Sequence, residues 1–157
     1  MGTIKDSLIG LIHNYVLICA GSSWFIAQVL KTVLVWILSG KLRWERMVGS
    51  GGMPSAHTAC VTALLLATCR KAGFSSVEFA IAFILAIIVI YDALNVRRQA
   101  GEHAKAINIM VDRLDNENDD DPDLGIKELK ESLGHKPMEV LAGALLGILT
   151  AMLIPVL

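Results

Sequence analysis

Charge is missing from long stretches of this sequence. Between Ser7 and Gly40 the only permanently charged residue is Lys31, and 53–69, 79–91 and 140–157 carry none. An average soluble domain has about a quarter of its residues charged; here the share is 18% against 54% hydrophobic in 157 residues. Crossing a bilayer takes roughly 17–25 predominantly apolar residues. The scarcity of charge therefore excludes an ordinary soluble domain and implies an integral membrane protein. Neither sign of charge is in excess, the net being −1, so bulk charge gives no reason to expect nucleic acid as a partner. Cys19, Cys60 and Cys69 lie in apolar stretches without CxxC spacing, which argues against a zinc site or a disulfide framework. Aromatics are scarce at 6%, and Trp24, Trp36 and Trp44 suit interfacial belts better than a cofactor box. The opening "MGTIKDSLIGLIHNY" has neither the profile of a cleaved leader nor the hydroxyl residue of a myristoylation signal.

What is present organises itself along the chain. Residues 8–39 are the first membrane unit. They form one long or kinked span, or a hairpin of two short helices if "AGSS" at 20–23 breaks them. A basic, glycine-rich loop follows at 40–54, with Lys41, Arg43 and Arg46. Spans are expected at 54–70, with Pro54 in the first turn, at 77–95, and at 138–157. Ala100, Ala104, Ile107, Val111 and Leu114 recur at three- and four-residue steps, which predicts an amphipathic interfacial helix over 97–114. "DRLDNENDDDPD" (112–123) holds seven acids and one arginine and is expected to be a solvated linker. A short helix is expected at 124–133. Gly143-x-x-x-Gly147 permits close helix contact and suggests a homo-oligomer. The whole, 1–157, is one all-α membrane domain of four spans, or five with the hairpin.

This topology puts the 40–53 loop and the 97–136 segment on one side of the membrane. The bases Lys41, Arg43, Arg46, Arg97, Arg98, Lys105 and Arg113 are near span ends there, against Lys5, Arg70 and Lys71 opposite. The positive-inside rule makes the richer side cytoplasmic. Ser55, His57, Asp92, Arg97, Arg98, His103, Asn108 and His135 gather at that same face. Ionisable groups at a span end are costly unless paired or used, so they form a candidate site. Gly49, Gly51 and Gly52, with the helix start behind them, offer backbone N–H groups to an anion. Arginine adds planar recognition of phosphate oxygens. Lys31 either reaches that phosphate or snorkels to the basic face. Plainer roles stay open: Ser55 as an N-cap, His103 as an interfacial residue, His135 as a turn residue, and Asp92 as a partner for Arg97 or Arg98.

"MPSAHTA" resembles the Pro-Ser-x-His motif of the PAP2 phosphatase and vanadium haloperoxidase superfamily. With "SGGMPSAHTACVTAL", "YDALNVRR" and "LKESLGHKPMEV", the chain is more closely similar to the divergent PAP2 branch, from about Gln28 to Gly147. That resemblance implies a metal-free, cofactor-free phosphatase acting on a phospholipid or isoprenoid phosphate through a phosphohistidine. His57 would be the general acid, Ser55 an oxygen ligand, Arg97 a phosphate clamp and His103 the nucleophile, five residues intervening between Arg97 and His103. Two departures stand against it. Leu38-Ser39 occupies the place of the superfamily's arginine-proline after Lys31, and Ile107 that of the aspartate four past His103. The divergent branch keeps the Gly-His-x-Pro that carries His135, so the nucleophile is open between His103 and His135, with Asp92 to orient either. The expected location is a bacterial cytoplasmic membrane with a cytoplasmic active face. A phospholipid-binding or transport protein with a degenerate site is the second reading, and a metal-dependent phosphatase using Asp92, Glu139 and the acidic linker the third.

Overall fold

The structure, a computed structural model, describes residues 4–40, 52–117, 129 and 134–156. Among them all regular structure is helical: α1 (Ile4–Ile12), α2 (Tyr15–Ser39), α3 (Ala56–Ala72), α4 (Val77–Tyr91), α5 (Arg97–Glu117) and α6 (Pro137–Leu153). One wide π turn, Asp92–Val96, joins α4 to α5. This is the expected all-α membrane bundle.

The first unit breaks earlier than the glycine and serines suggest. The Asn14 side chain accepts from the N–H groups of Val16 and Leu17 at 3.0 and 3.2 Å, an N-cap that starts α2 afresh after α1. From there α2 runs unbroken for 25 residues, about 37 Å at 1.5 Å per residue. The hairpin alternative is therefore overturned, and the fifth span with it. The small residues at 20–23 serve packing instead. Ala20 and Ser23 are buried, and the Ser23 hydroxyl donates to the Ala59 carbonyl of α3 at 3.0 Å.

Helix α3 is the hub, packed by α2, α4 and α6, and α2 also meets α6. The buried apolar positions are mostly small: Ala27, Ala56, Ala59, Ala63, Ala67 and Ala151. The large hydrophobics face outward, with Leu38 84% and Leu153 82% exposed. In water this distribution would be inverted. In a bilayer the tails cover the large side chains, and helices associate where small residues let backbones approach. Gly147 is such a place: a Cβ there would come within 2.5 Å of the Ala59 carbonyl and 2.9 Å of Thr62 Cβ. A Cβ on Gly143 would strike the Ser55 carbonyl. The Gly143/Gly147 face is thus filled by α3 of the same chain, so their spacing is no support for a homo-oligomer.

Among the described residues two helical runs are by length and composition able to cross a membrane, Tyr15–Ser39 and the continuous Val77–Arg113, while Pro137–Leu153 is a shorter apolar helix. Helix α3, of 17 residues, ends in Arg70 and Lys71. Length and composition alone therefore do not reach four spans. The acidic segment also differs from expectation at its start, since α5 continues through Glu117. Extending an existing helix needs no new nucleus, so residues of modest propensity are carried along. Residues 118–123 and the expected helix at 124–133 lie outside the described residues, apart from Leu129.

At the end remote from the basic face, Arg70 closes the bundle. Its guanidinium donates to the carbonyls of Ala151 and Ile154, the latter at 3.0 Å, and to the Tyr15 hydroxyl at 2.7 Å. The last carbonyls of α6 have no partner within their helix, and a cation there suits its negative dipole end.

Candidate functional site

The other end of α3 is built around Ser55. This residue is wholly buried and caps α3, its oxygen accepting from the Thr58 N–H at 3.4 Å and the Thr58 hydroxyl at 3.0 Å. Its own N–H donates to the Glu139 carbonyl at 2.9 Å. The start of α3 is thereby tied to the first turn of α6. Gly52 has φ +88, and the Lys31 stem lies 3.6 Å from where its Cβ would be. A glycine is required there for the left-handed backbone. Gly49 and Gly51 lie outside the described residues.

Lys31 is 3% exposed, deep for a lysine. His57, the second residue of α3, is exposed and within electrostatic reach of Arg97, His135, Lys31 and Asp92. One imidazole therefore senses α2, the wide turn, the start of α5 and the segment before α6. The Arg97 Nε donates to Asp92 at 2.6 Å, which holds the guanidinium at the turn.

The wide turn explains how His135 arrives. In a regular α-helix the Arg97 N–H would go to Ala93, but here it reaches back to the Asp92 carbonyl. The Ala93 carbonyl instead accepts the His135 N–H at 3.1 Å. Single π turns inside α-helices are common at functional sites. Gly134 lies against the same place with φ +89, where a Cβ would fall 2.5 Å from the Arg98 backbone. Gly-His is thus docked onto the turn by its backbone.

His135 is 6% exposed, and its Nδ1 lies 3.0 Å from Glu139 Oε2. A carboxylate accepts and does not donate, so Nδ1 carries a hydrogen toward Glu139 and Nε2 is the ring nitrogen left for another partner. The same oxygen accepts the Lys136 N–H at 3.3 Å. Glu139 thus holds the ring with its side chain and Ser55 with its carbonyl. From the sequence it is named only as a candidate metal ligand, not as the partner of His135. Its signal was present: four positions after His135, with Pro137 between them starting a helix.

The remaining candidates are disposed differently. His103 is exposed, six residues along α5 from Arg97. Arg98 is exposed beneath Gly134. Asn108 spans the Leu129 backbone, donating to its carbonyl at 2.9 Å and accepting from its N–H at 3.0 Å. Among the described residues no three His, Cys, Asp or Glu are grouped to hold a metal. Asp92 and Glu139 each face a basic partner.

Comparison with known proteins agrees with the architecture. The family model described as the divergent PAP2 family matches residues 12–150. An uncharacterized membrane protein of Bacillus subtilis (strain 168), YuiD, is 42% identical over 151 residues, covering 92% of this chain and 96% of its own. No solved structure matches the chain.

Proposed function

The chain belongs to the divergent PAP2 family, and from that premise we propose that it hydrolyses a lipid phosphomonoester through a phosphohistidine. The observation that supports this reading is that the His135 N–H is docked on the Ala93 carbonyl of the turn that carries Asp92 and leads into Arg97, while Lys31, Arg97 and His135 all act electrostatically on His57. Two cations suit a phosphate, and two imidazoles suit a nucleophile and an acid.

In the proposed reaction Lys31 and Arg97 hold the phosphoryl oxygens, and Asp92 keeps Arg97 in place. His135 Nε2 attacks phosphorus, so an N–P bond forms as the ester P–O bond breaks. The departing oxygen keeps the bonding pair and takes a proton from His57. Water then attacks the phosphohistidine, His57 accepts its proton, the N–P pair returns to Nε2, and inorganic phosphate leaves. Splitting one displacement into two easier steps is the gain of covalent catalysis, and general acid help contributes typically about 10²–10⁴-fold. Glu139 rather than Asp92 orients the nucleophile. Ser55 builds the helix start that presents His57.

The substrate phosphate stays at headgroup level while the tails enter the bilayer. We take α3 and α6 to cross the membrane with α2 and α4, giving four spans in a bacterial cytoplasmic membrane. The excess of basic residues at the site end turns that end to the cytoplasm. The second reading, a phospholipid-binding or transport protein, is favoured by Leu38-Ser39 standing where the superfamily has arginine-proline.

The test is phosphate release from a panel of lipid phosphates by purified protein, with EDTA or vanadate, and with His57→Ala, His135→Ala and His103→Ala. Release that resists EDTA, yields to vanadate and is lost with His57 or His135 but not His103 is the expected result. Absence of release from every lipid, or indifference to His57, leaves the binding protein ahead.

A further inference from the structure

Among the described residues one buried side-chain oxygen has no hydrogen-bond partner, Gln28 Oε1, on a residue 6% exposed. A buried acceptor left without a donor is destabilising, and glutamine is seldom placed in an apolar helix without use. The backbone around it is satisfied: the Gln28 carbonyl accepts the Thr32 hydroxyl at 2.9 Å. The side-chain oxygen, fully enclosed, has no donor.

Its position is informative. Gln28 precedes Lys31 by three residues, one turn of α2 and about 4–5 Å along its axis. The direction follows from neighbouring contacts. Ser23 bonds Ala59, Ala27 packs with Ala56 and Ala59, and Lys31 lies by Gly52. Moving from Lys31 to Gln28 therefore leads from the phosphate-binding end into the bundle. A lipid phosphate held at Lys31, as proposed above, would have Gln28 one turn deeper along α2.

We infer that Gln28 Oε1 accepts a hydrogen bond from a free hydroxyl on the substrate's alcohol, on the carbon next to the one bearing the phosphate ester. This rests on the phosphatase reading and narrows its substrate class. An amide oxygen only accepts. A diacylated glycerol phosphate offers ester oxygens at that carbon, which are acceptors too, and an isoprenoid phosphate offers only C–H. A phosphomonoester of a glycerol-type alcohol with a free neighbouring hydroxyl supplies the donor. Sites built to hydrogen-bond a substrate hydroxyl discriminate strongly against analogues lacking it.

The experiment uses the full chain and a matched pair of lipids: monoacylglycerol 3-phosphate, and the same compound without its 2-hydroxyl. Phosphate release is compared for wild type, Gln28→Met and Gln28→Glu. The wild type should favour the hydroxyl lipid at least about tenfold in kcat/KM, one hydrogen bond's worth of discrimination. Gln28→Met should bring that lipid down to the deoxy one and leave the deoxy rate within about twofold, while Gln28→Glu, which keeps an acceptor, should retain the preference. Equal wild-type rates for the pair, preference for a diacyl phosphate, or equal loss of both substrates in Gln28→Met would overturn the inference. If neither lipid is hydrolysed, the phosphatase reading fails separately. Binding of the same two lipids, followed by tryptophan fluorescence, then decides: tighter binding of the hydroxyl lipid that Gln28→Met abolishes upholds Gln28, and equal binding sinks it.

Discussion

The two ends of the bundle assemble similar materials to opposite effect. At one, Arg70 and Tyr15 meet the end of α6, and the guanidinium is consumed by the Ala151 and Ile154 carbonyls and the Tyr15 hydroxyl. At the other, Lys31 and Arg97 act electrostatically on the exposed imidazole of His57. The α6 C-terminus offers carbonyls, which neutralise a cation. The start of α3 offers N–H groups and a positive dipole end, which add to the cations instead. The same helix bundle is thus closed where its chemistry complements itself, and the other end is where we place the proposed reaction.

The comparison predicts that damage at the two ends will be of different kinds. The largest effect should come from His135→Ala, with phosphate release falling by at least about 10³-fold, as expected for removal of a nucleophile, and the thermal midpoint in detergent scarcely moving. Next, Glu139→Gln should cost about 10–10²-fold, because the imidazole loses the carboxylate that fixes its tautomer and orientation. A turnover within twofold of wild type would return that role to Asp92. Gly147→Leu should act on folding and not on chemistry. Its side chain has no room against Ala59 and Thr62, and overpacking costs about 1–3 kcal/mol, read as a fall in the denaturant midpoint. Arg70→Ala is the mildest, about 1–2 kcal/mol of stability from unmet carbonyls, with activity per folded molecule unchanged. Lost activity in folded Arg70→Ala would erase the distinction between the ends.

Much of the site end was readable in one dimension. "GGMPSAHTA" announces a glycine turn, a cap and an imidazole within nine positions, and local geometry alone brings them together. The partners of His57 were less accessible. Asp92 and Arg97 are five apart, a spacing that faces one way only because the helix widens into a π turn between them. Glu139 looked like a possible metal ligand until its carboxylate was found on His135. Gly143 and Gly147 marked a close contact correctly, but their spacing says nothing about whether the second helix belongs to the same chain.

Segregated charge and long apolar runs were enough to establish a helical membrane protein, because a bilayer forces every backbone group to be satisfied within its own segment. Cap and turn residues were enough to mark where α3 and α6 begin, since those signals act over a few bonds. The break at Asn14 instead of 20–23, the docking of His135 on Ala93 and the unpaired oxygen of Gln28 required the folded chain. Each depends on which helix stands opposite, and that is set by the close packing of small residues distant in sequence.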